Sequence, residues 1–386
     1  MRFRFINIRF LKHIDWVTVS IVFAICLFGL VAIINATSSP FTGDESTLSD
    51  YLSKLNFSYV KLQLMWVLVG LIAVTIVLIP DYSVICDYSR WIYWFNIALL
   101  LLVFLTTEVR GMQGWFKFGS RGFQPSEVAK ISLIIVLAKK MSESTRGGHR
   151  IERIKDVFPV ALLFALPFGL IVLQKDIGTA LVFLVIFFGM LFVGRTNLKI
   201  IGMILLVGII MLPLAWLVMN STQKARIVSF LNPGADTQGT GYQVSQAKIA
   251  IGAGQFAGKG FFSAGALGQL NYVPDSHTDF IFGVTVEAVG FIGAFFLMGL
   301  YLALLLRALY IASKAKDDQG MFLVSGVVCM LLFHIFENLG MNMGIMPVTG
   351  IPLPFFSYGG SSMLANMIAV GLILNVNARR FRWSLA

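Results

Sequence analysis

The residues His277-Thr278-Asp279-Phe280 end a mostly polar stretch, 219–278, and open an apolar helix. A carboxylate placed there sits at a membrane–water boundary, beneath a long loop. A carboxylate within hydrogen-bond reach of a hydroxyl can take its proton as the oxygen attacks. Asp279 is therefore the candidate general base for chemistry on a polar group carried by a lipid. His277 lies two residues away, and partial burial would strengthen the carboxylate's hold on a proton. The plainer alternative is that Thr278 caps the helix and Asp279 fills its first turn.

Other ionisable residues fall inside apolar segments, where each calls for a partner or a role. Glu127 and Lys130 stand at i and i+3, share one helix face and can pair. They form either a buried ion pair that fixes packing, or a site where Lys130 meets an anionic substrate and Glu127 sets its position. Asp176 is placed to cap the next helix or to serve the site. Glu287 follows Asp279 by eight residues on roughly the same face, to tune it or to pair with a base. Glu337 and Asn338 beside His334 suggest an internal polar network. Lys117, Arg121, Lys224, Arg226, Lys248 and Lys259 all fall on the same outer side as the long loop. Positive charge there runs against the usual membrane topology, which points some of it at a phosphate.

What must position these residues is a membrane bundle. The 386 residues are 57% hydrophobic and only 13% charged, against about 25% charged in soluble domains. Ten segments are long and apolar enough to be spans: 16–36, 60–80, 91–107, 124–141, 157–173, 177–194, 199–219, 279–306, 321–341 and 361–377. The fifth and sixth are parted only by Gln174-Lys175-Asp176 and could be one broken pair. With the N-terminus inside, the inner segments collect most of the 30 Lys and Arg, including Arg2, Arg4, Arg9, Lys12, Arg146 and Arg150. That satisfies the positive-inside rule with both termini inside. The net charge of +11 is thereby explained without nucleic acid. Cys26, Cys86 and Cys329 imply no disulfide framework, and the four histidines show no metal-ligand spacing.

The fold class expected is thus an all-α polytopic membrane protein. It is one transmembrane domain, 1–386, with a large extracytoplasmic loop between spans seven and eight. The outer loop 37–60 carries Asp44, Glu45 and Asp50. Within the long loop, 241–252 reads as a short amphipathic helix with Val244, Ala247 and Ile251 on one face, able to lie flat in the interface. A glycine-rich run, 252–260, breaks it. The segment 346–362 is apolar but filled with proline and glycine, so it cannot be a regular helix. Irregular backbone at membrane depth must be buried in protein or line a wet cavity.

Gly122-Phe-Gln-Pro-Ser-Glu-Val-Ala-Lys130, Gln174-Lys-Asp-Ile-Gly-Thr-Ala180, His277-Thr-Asp-Phe-Ile-Phe282 and Pro352-Leu-Pro-Phe-Phe-Ser-Tyr-Gly-Gly-Ser-Ser362 resemble the SEDS family. The match runs in order over nearly the whole chain. Ser245–Gly252 and Phe336–Gly340 look more like RodA, the elongation member, than FtsW, the division member. The resemblance implies ten helices and a peptidoglycan glycosyltransferase acting in cell elongation. Its substrate would be lipid II, the undecaprenyl-pyrophosphate-linked disaccharide-pentapeptide, at the outer face of the bacterial cytoplasmic membrane. It implies Asp279 as the essential aspartate. Glu127, Lys130, Arg121, Lys117, Asp176, His277 and Ser361 are the expected substrate-binding residues. Expected partners are a class B penicillin-binding protein and elongation proteins such as MreC and MreD. A divalent cation, Mg or Mn, is a possible helper for the diphosphate. Lys175 stands where proline is usual, which makes that turn less rigid. A lipid II flippase without catalysis, or a structural scaffold, are the competing functions.

Overall fold

The computed structural model describes residues 13–39, 48–108, 111–118, 121–145, 151, 153–232, 239–264, 266–268 and 272–380. The basic residues Arg2, Arg4, Arg9, Lys12, Arg146 and Arg150 and the acids Asp44 and Glu45 lie outside these. In order, the helices are α1 (Trp16–Thr37), α2 (Leu48–Lys54), α3 (Ser58–Leu78), α4 (Tyr82–Asp87), α5 (Ser89–Leu102), α6 (Pro125–Ser144) and α7 (Ile154–Leu173). There follow α8 (Ile177–Val193), α9 (Leu198–Val218), α10 (Ser221–Leu231), α11 (Thr240–Gly254), α12 (Ile281–Ser313), α13 (Asp318–Met343) and α14 (Gly360–Ala378).

By length and composition, α1, α3, α7, α12, α13 and α14 can each cross a membrane. Shorter apolar helices cover Ser89–Leu105, Ile177–Val193 and Leu198–Met211. Helix α6 is the exception among the long ones, because Glu127, Lys130, Lys139, Lys140 and Glu143 interrupt its apolar run. It lies at the centre, with Ile131, Leu133, Ile134, Leu137 and Ala138 all buried. Helix α14 is likewise buried nearly all round. The outer helices show the reverse: α9 exposes Leu205, Leu206, Val207, Ile209 and Ile210 in succession. A helix apolar on every face and exposed on most of them is solvated by lipid.

The all-α expectation needs one correction. Between α5 and α6 stands an antiparallel hairpin, β1 (Phe116–Phe118) and β2 (Arg121–Phe123), pairing Lys117 with Gly122. Aromatic residues favour strands. Gly122 is needed because a Cβ there would stand 2.8 Å from the Trp115 ring.

The segments 157–173 and 177–194 are two helices, not one broken helix. Lys175 between them takes φ +64°, which proline cannot adopt. The turn is tied down regardless. Gln174 Nε2 donates to Leu100 O at 2.8 Å, and Gln223 Nε2 of α10 donates to Lys175 O at 2.9 Å.

Helix α11 turns the expected face inward: Ala247 is buried, and Val244 and Ile251 pack against the hydrophobic interior. Gly241, Ala250 and Gly254 are buried as well, and the helix packs on α12. Small residues let two backbones approach closely; a Cβ on Gly254 would collide with Val286 O.

Helix α12 is broken at Gly290 (φ 69°, ψ −170°). The loop after α11 fills the break. Lys259 N donates to Glu287 O, Gly260 N to Ala288 O, Phe291 N to Gln255 O and Ile292 N to Phe256 O, at 2.8–3.1 Å. Every freed backbone group named here has a partner, as backbone at membrane depth requires. Glu287, 1% exposed, fastens the same loop: Oε1 accepts from Lys259 Nζ (2.7 Å) and Leu267 N (2.9 Å), and Oε2 from Gly268 N (3.1 Å). Of its two expected roles, pairing with a base is the one observed. Gly290→Ala is expected to cost roughly 3 kcal/mol, combining a left-handed φ with a collision on Gly258 N and Phe256 O. Thermal unfolding in detergent would show it.

At the opposite end, Asp15 caps α1 and clamps α12. Its Oδ2 accepts from Thr18 N (3.2 Å), and Arg307 donates Nε to Oδ2 (3.0 Å) and Nη2 to Oδ1 (2.5 Å). Burial alone would raise the Asp15 carboxyl, but the hydrogen bonds from Arg307 and Thr18 more than reverse this and hold it below its ordinary value.

Candidate active site

Asp279 occupies the turn before α12 and not its first helical turn. Phe280 is the N-cap residue and makes no side-chain cap bond. Thr278 Oγ1 instead donates back to Asp275 O at 3.2 Å. The cap comes from another helix: Asn342 Oδ1 on α13 accepts from Gly283 N at 3.0 Å. The same asparagine's Nδ2 donates to Asp279 O at 3.0 Å, as does Asn338 Nδ2, also at 3.0 Å. Two buried side-chain amides therefore fix the main chain of residue 279.

The irregular segment 344–359 holds this turn from the other side. Ser357 Oγ donates to Thr278 O (2.8 Å) and Tyr358 N donates to His277 O (3.0 Å). Gln63 on α3 donates to Ser357 O (3.0 Å) and accepts from Gly359 N (3.3 Å). Val348, Ile351, Leu353, Phe355 and Phe356 are buried, so the proline-rich stretch folds into the bundle as expected. Helix α14 begins at Gly360, however, which puts Ser361 and Ser362 in its first turn. His277 joins an aromatic group, its ring centroid 4.6 Å from Tyr59 and 5.8 Å from Tyr358.

Asp279 is half-buried and Gly350 beside it is exposed. A Cβ at Gly350, whose φ is +80°, would stand 3.5 Å from Asp279 Oδ2. The carboxylate thus borders an open surface. From Gly350 the polar contacts run on through the other motifs. Thr349 Oγ1 donates to Glu337 Oε1 at 2.8 Å. Arg226 Nη1 donates to Thr349 O at 3.3 Å. Gly178 packs on Thr349 O, where a Cβ would come within 3.0 Å.

Asp176, two residues before Gly178, caps α8 by accepting from Thr179 N at 3.0 Å. Its other oxygen accepts from Gln124 Nε2 at 2.9 Å, and Gln124 N donates to Ser361 Oγ at 3.0 Å. The structure therefore joins Asp176 and Ser361 through Gln124.

Lys130 is 1% exposed and Glu127 5%. Lys130 Nζ donates to Glu127 Oε1 at 2.8 Å and lies 3.0 Å from His334 Nε2. An ammonium has only protons to offer, so His334 Nε2 is the acceptor and the imidazole carries its proton on Nδ1. Glu127 Oε2, His334 Nδ1 and Glu337 Oε2 are buried without a hydrogen-bond partner. Lys117 is exposed on β1 and makes no ion pair among the described residues. Arg121 lies on β2.

Helix α13 supplies the residues that sequence reasoning left out of the site. His334, Glu337, Asn338 and Asn342 recur at i, i+3, i+4 and i+8 along one face, and all are buried. Polar residues at that spacing in an apolar span were the available sign. Gln124 and Thr349 carried no such pattern, whereas Arg226 was among the outer cations expected to meet a phosphate. Among the described residues, no group of three or more His, Cys, Asp or Glu side chains is placed to hold a metal ion.

Residues 15–381 match the family model described as "Cell cycle protein" (FTSW_RODA_SPOVE). Peptidoglycan glycosyltransferase MrdB of Escherichia coli K12 is 33% identical over 298 residues, covering 76% of this chain and 79% of that protein. Probable peptidoglycan glycosyltransferase FtsW of Trichlorobacter lovleyi is 33% identical over 381 residues, covering 95% of this chain and 94% of that one. Relatives of both names match, so the comparison identifies the family and not the branch. Among solved structures, one chain belongs to work described as "Structural coordination of polymerization and crosslinking by a peptidoglycan synthase complex". It superposes with a TM-score of 0.75 at 30% identity, covering 96% of this chain and 99% of that one. Rod shape determining protein RodA of Thermus thermophilus gives a TM-score of 0.68 at 29% identity, with 96% and 98% covered. The chain belongs to the SEDS family, that of FtsW, RodA and SpoVE, and is an integral membrane enzyme of that family, a glycosyltransferase like its named relatives.

Proposed function

We propose that this protein polymerises lipid II into peptidoglycan glycan strands during cell elongation, with Asp279 as general base. It would do so as a ten-span single domain in the bacterial inner membrane, both termini in the cytoplasm. The observation that carries the proposal is the half-exposed Asp279 carboxylate beside the exposed Gly350, on a main chain that Asn338 and Asn342 fix in place. A bond forms between the GlcNAc O4 and the MurNAc C1, and the C1–O bond to the diphosphate breaks. The hydroxyl proton passes to Asp279, and the diphosphate leaves with the bonding electron pair. Proton transfer to a positioned base of this kind is worth roughly 10²–10⁴-fold.

The leaving diphosphate needs compensating charge. Lys117 and Arg121 on the hairpin are assigned to it. Lys130 is assigned as the buried cation of the cluster, whose contact with a phosphate requires its pair with Glu127 to part. His277, Asp176 and Ser361 shape the floor. A divalent cation such as Mg or Mn would add positive charge for the leaving diphosphate. The partner proposed is a class B penicillin-binding protein, in keeping with the solved synthase complex that the chain resembles. MreC and MreD are further candidates.

Purified protein incubated with labelled lipid II, with and without its transpeptidase partner, is expected to yield glycan polymer. Failure to form polymer under both conditions, with lipid II crossing a vesicle bilayer instead, would establish the flippase.

A further inference from the structure

A shallow groove, open to solvent, lies on the loop side of the site, lined among others by Arg226, Ser229, Thr240, Lys248, Met346 and Pro347. Helices α10 and α11 form one wall and the start of the irregular segment the other. Two cations face into it. Neither Arg226 nor Lys248 makes an ion pair among the described residues, whereas Lys130, Lys139, Lys175, Lys259 and Arg307 all do. Arg226 Nε is buried with no hydrogen-bond partner, although the same guanidinium donates from Nη1 to Thr349 O. A buried guanidinium N–H left unpaired costs free energy unless a ligand completes it.

The rest of the lining is largely apolar, with Phe230, Val244, Met346, Pro347 and Val348 beside the two cations. A concavity with unneutralised cations next to apolar side chains suits an anionic head on a hydrocarbon tail. Its place in the chain narrows the choice. Arg226 holds the carbonyl of Thr349, and the next residue, Gly350, abuts the Asp279 carboxylate. A diphosphate in the groove would therefore lie on the same side of the molecule as the carboxylate that takes the hydroxyl proton.

Glycan polymerisation joins two lipid-linked saccharides, so two diphosphates must be held at once. We propose that the Arg226–Lys248 groove binds the diphosphate of the second of these, the one whose sugar hydroxyl is presented to Asp279. This rests on the polymerase function proposed above. It adds a subsite distinct from the hairpin cations assigned to the leaving group.

The test uses the full-length protein in nanodiscs and two separate readouts. The first is direct binding of undecaprenyl diphosphate in nanodiscs of uncharged lipid. Wild type should bind at two sites, one at the hairpin cations, and R226Q/K248Q should bind at least about tenfold more weakly at the other, the scale of charged hydrogen bonds. K248Q alone should show part of that loss and leaves the Thr349 contact intact. R226K should be weaker than wild type, because a point charge replaces a planar fork. The second readout is polymer formation against lipid II concentration. There kcat/KM should fall about tenfold through KM, and inhibition by inorganic pyrophosphate should weaken in parallel.

Equal binding of undecaprenyl diphosphate by wild type and the double variant would overturn the groove, whatever the activity. So would a variant that loses affinity only for phosphatidylglycerol vesicles, which would make the groove an anchor for membrane phospholipid. Wild-type protein that binds the diphosphate through these two residues yet makes no polymer would uphold the groove and defeat the polymerase.

Discussion

Asp279→Asn is expected to leave the protein folded and able to bind lipid II, while polymer formation falls by about 10²–10⁴-fold. The reason lies in which atoms of residue 279 hold the structure. Asn338 and Asn342 bind its main-chain oxygen, and asparagine keeps that oxygen. The neighbouring anchors, Ser357 to Thr278 O and Tyr358 N to His277 O, also bind main chain. What the substitution removes is the carboxylate's ability to take a proton. The measurements are glycan synthesis from purified lipid II, lipid II binding and thermal unfolding in one detergent. Wild-type rates would remove Asp279 from the base role. A lost rate with a collapsed melting temperature would make it a structural residue. Asn342→Leu gives the complementary result. It removes one of the two amides on Asp279 O and the cap on Gly283 N together. It therefore costs stability, of the order of 1–3 kcal/mol for a buried group left unpaired, and rate together.

Helix placement was legible because apolar length is a strong sign. Segment 16–36 became Trp16–Thr37, and 361–377 became Gly360–Ala378. The error was largest where a single helix carries both lipid-facing and loop-facing duties. The segment 279–306 is Ile281–Ser313 with a break at Gly290. Nothing local in the sequence marks that break, because the groups that satisfy it come from residues 255–260. The helix cap misled for the same reason. Thr278 is a good local cap by type, but Asn342, 59 residues away from Gly283, does that work. Long-range partners of this kind leave no trace in spacing. Glu127 and Lys130 were legible as a pair from i,i+3 alone; their third partner, His334, required the packing of α13 on α6.

The Lys130→Met variant separates a packing role from a substrate role. Lys130 Nζ is enclosed between Glu127 Oε1 and His334 Nε2, and Glu127 Oε2 already lacks a partner. Removing the ammonium strands a carboxylate that is 5% exposed. Breaking one side of a buried ion pair costs about 3–5 kcal/mol, whereas replacing both sides with uncharged groups of similar size is often nearly neutral. Lys130→Met should therefore be strongly destabilised, and Glu127→Gln/Lys130→Met should recover most of the lost stability. Thermal unfolding reads this directly. Activity of the double variant then decides the role. If the pair only holds α6 to α13, the double variant polymerises lipid II at close to the wild-type rate. If Lys130 leaves Glu127 to meet the diphosphate, the double variant is folded and inactive, because stability has been restored without a cation. A single variant as stable as wild type would refute both, since it would mean that the Glu127 carboxylate needs no counter-charge where it lies.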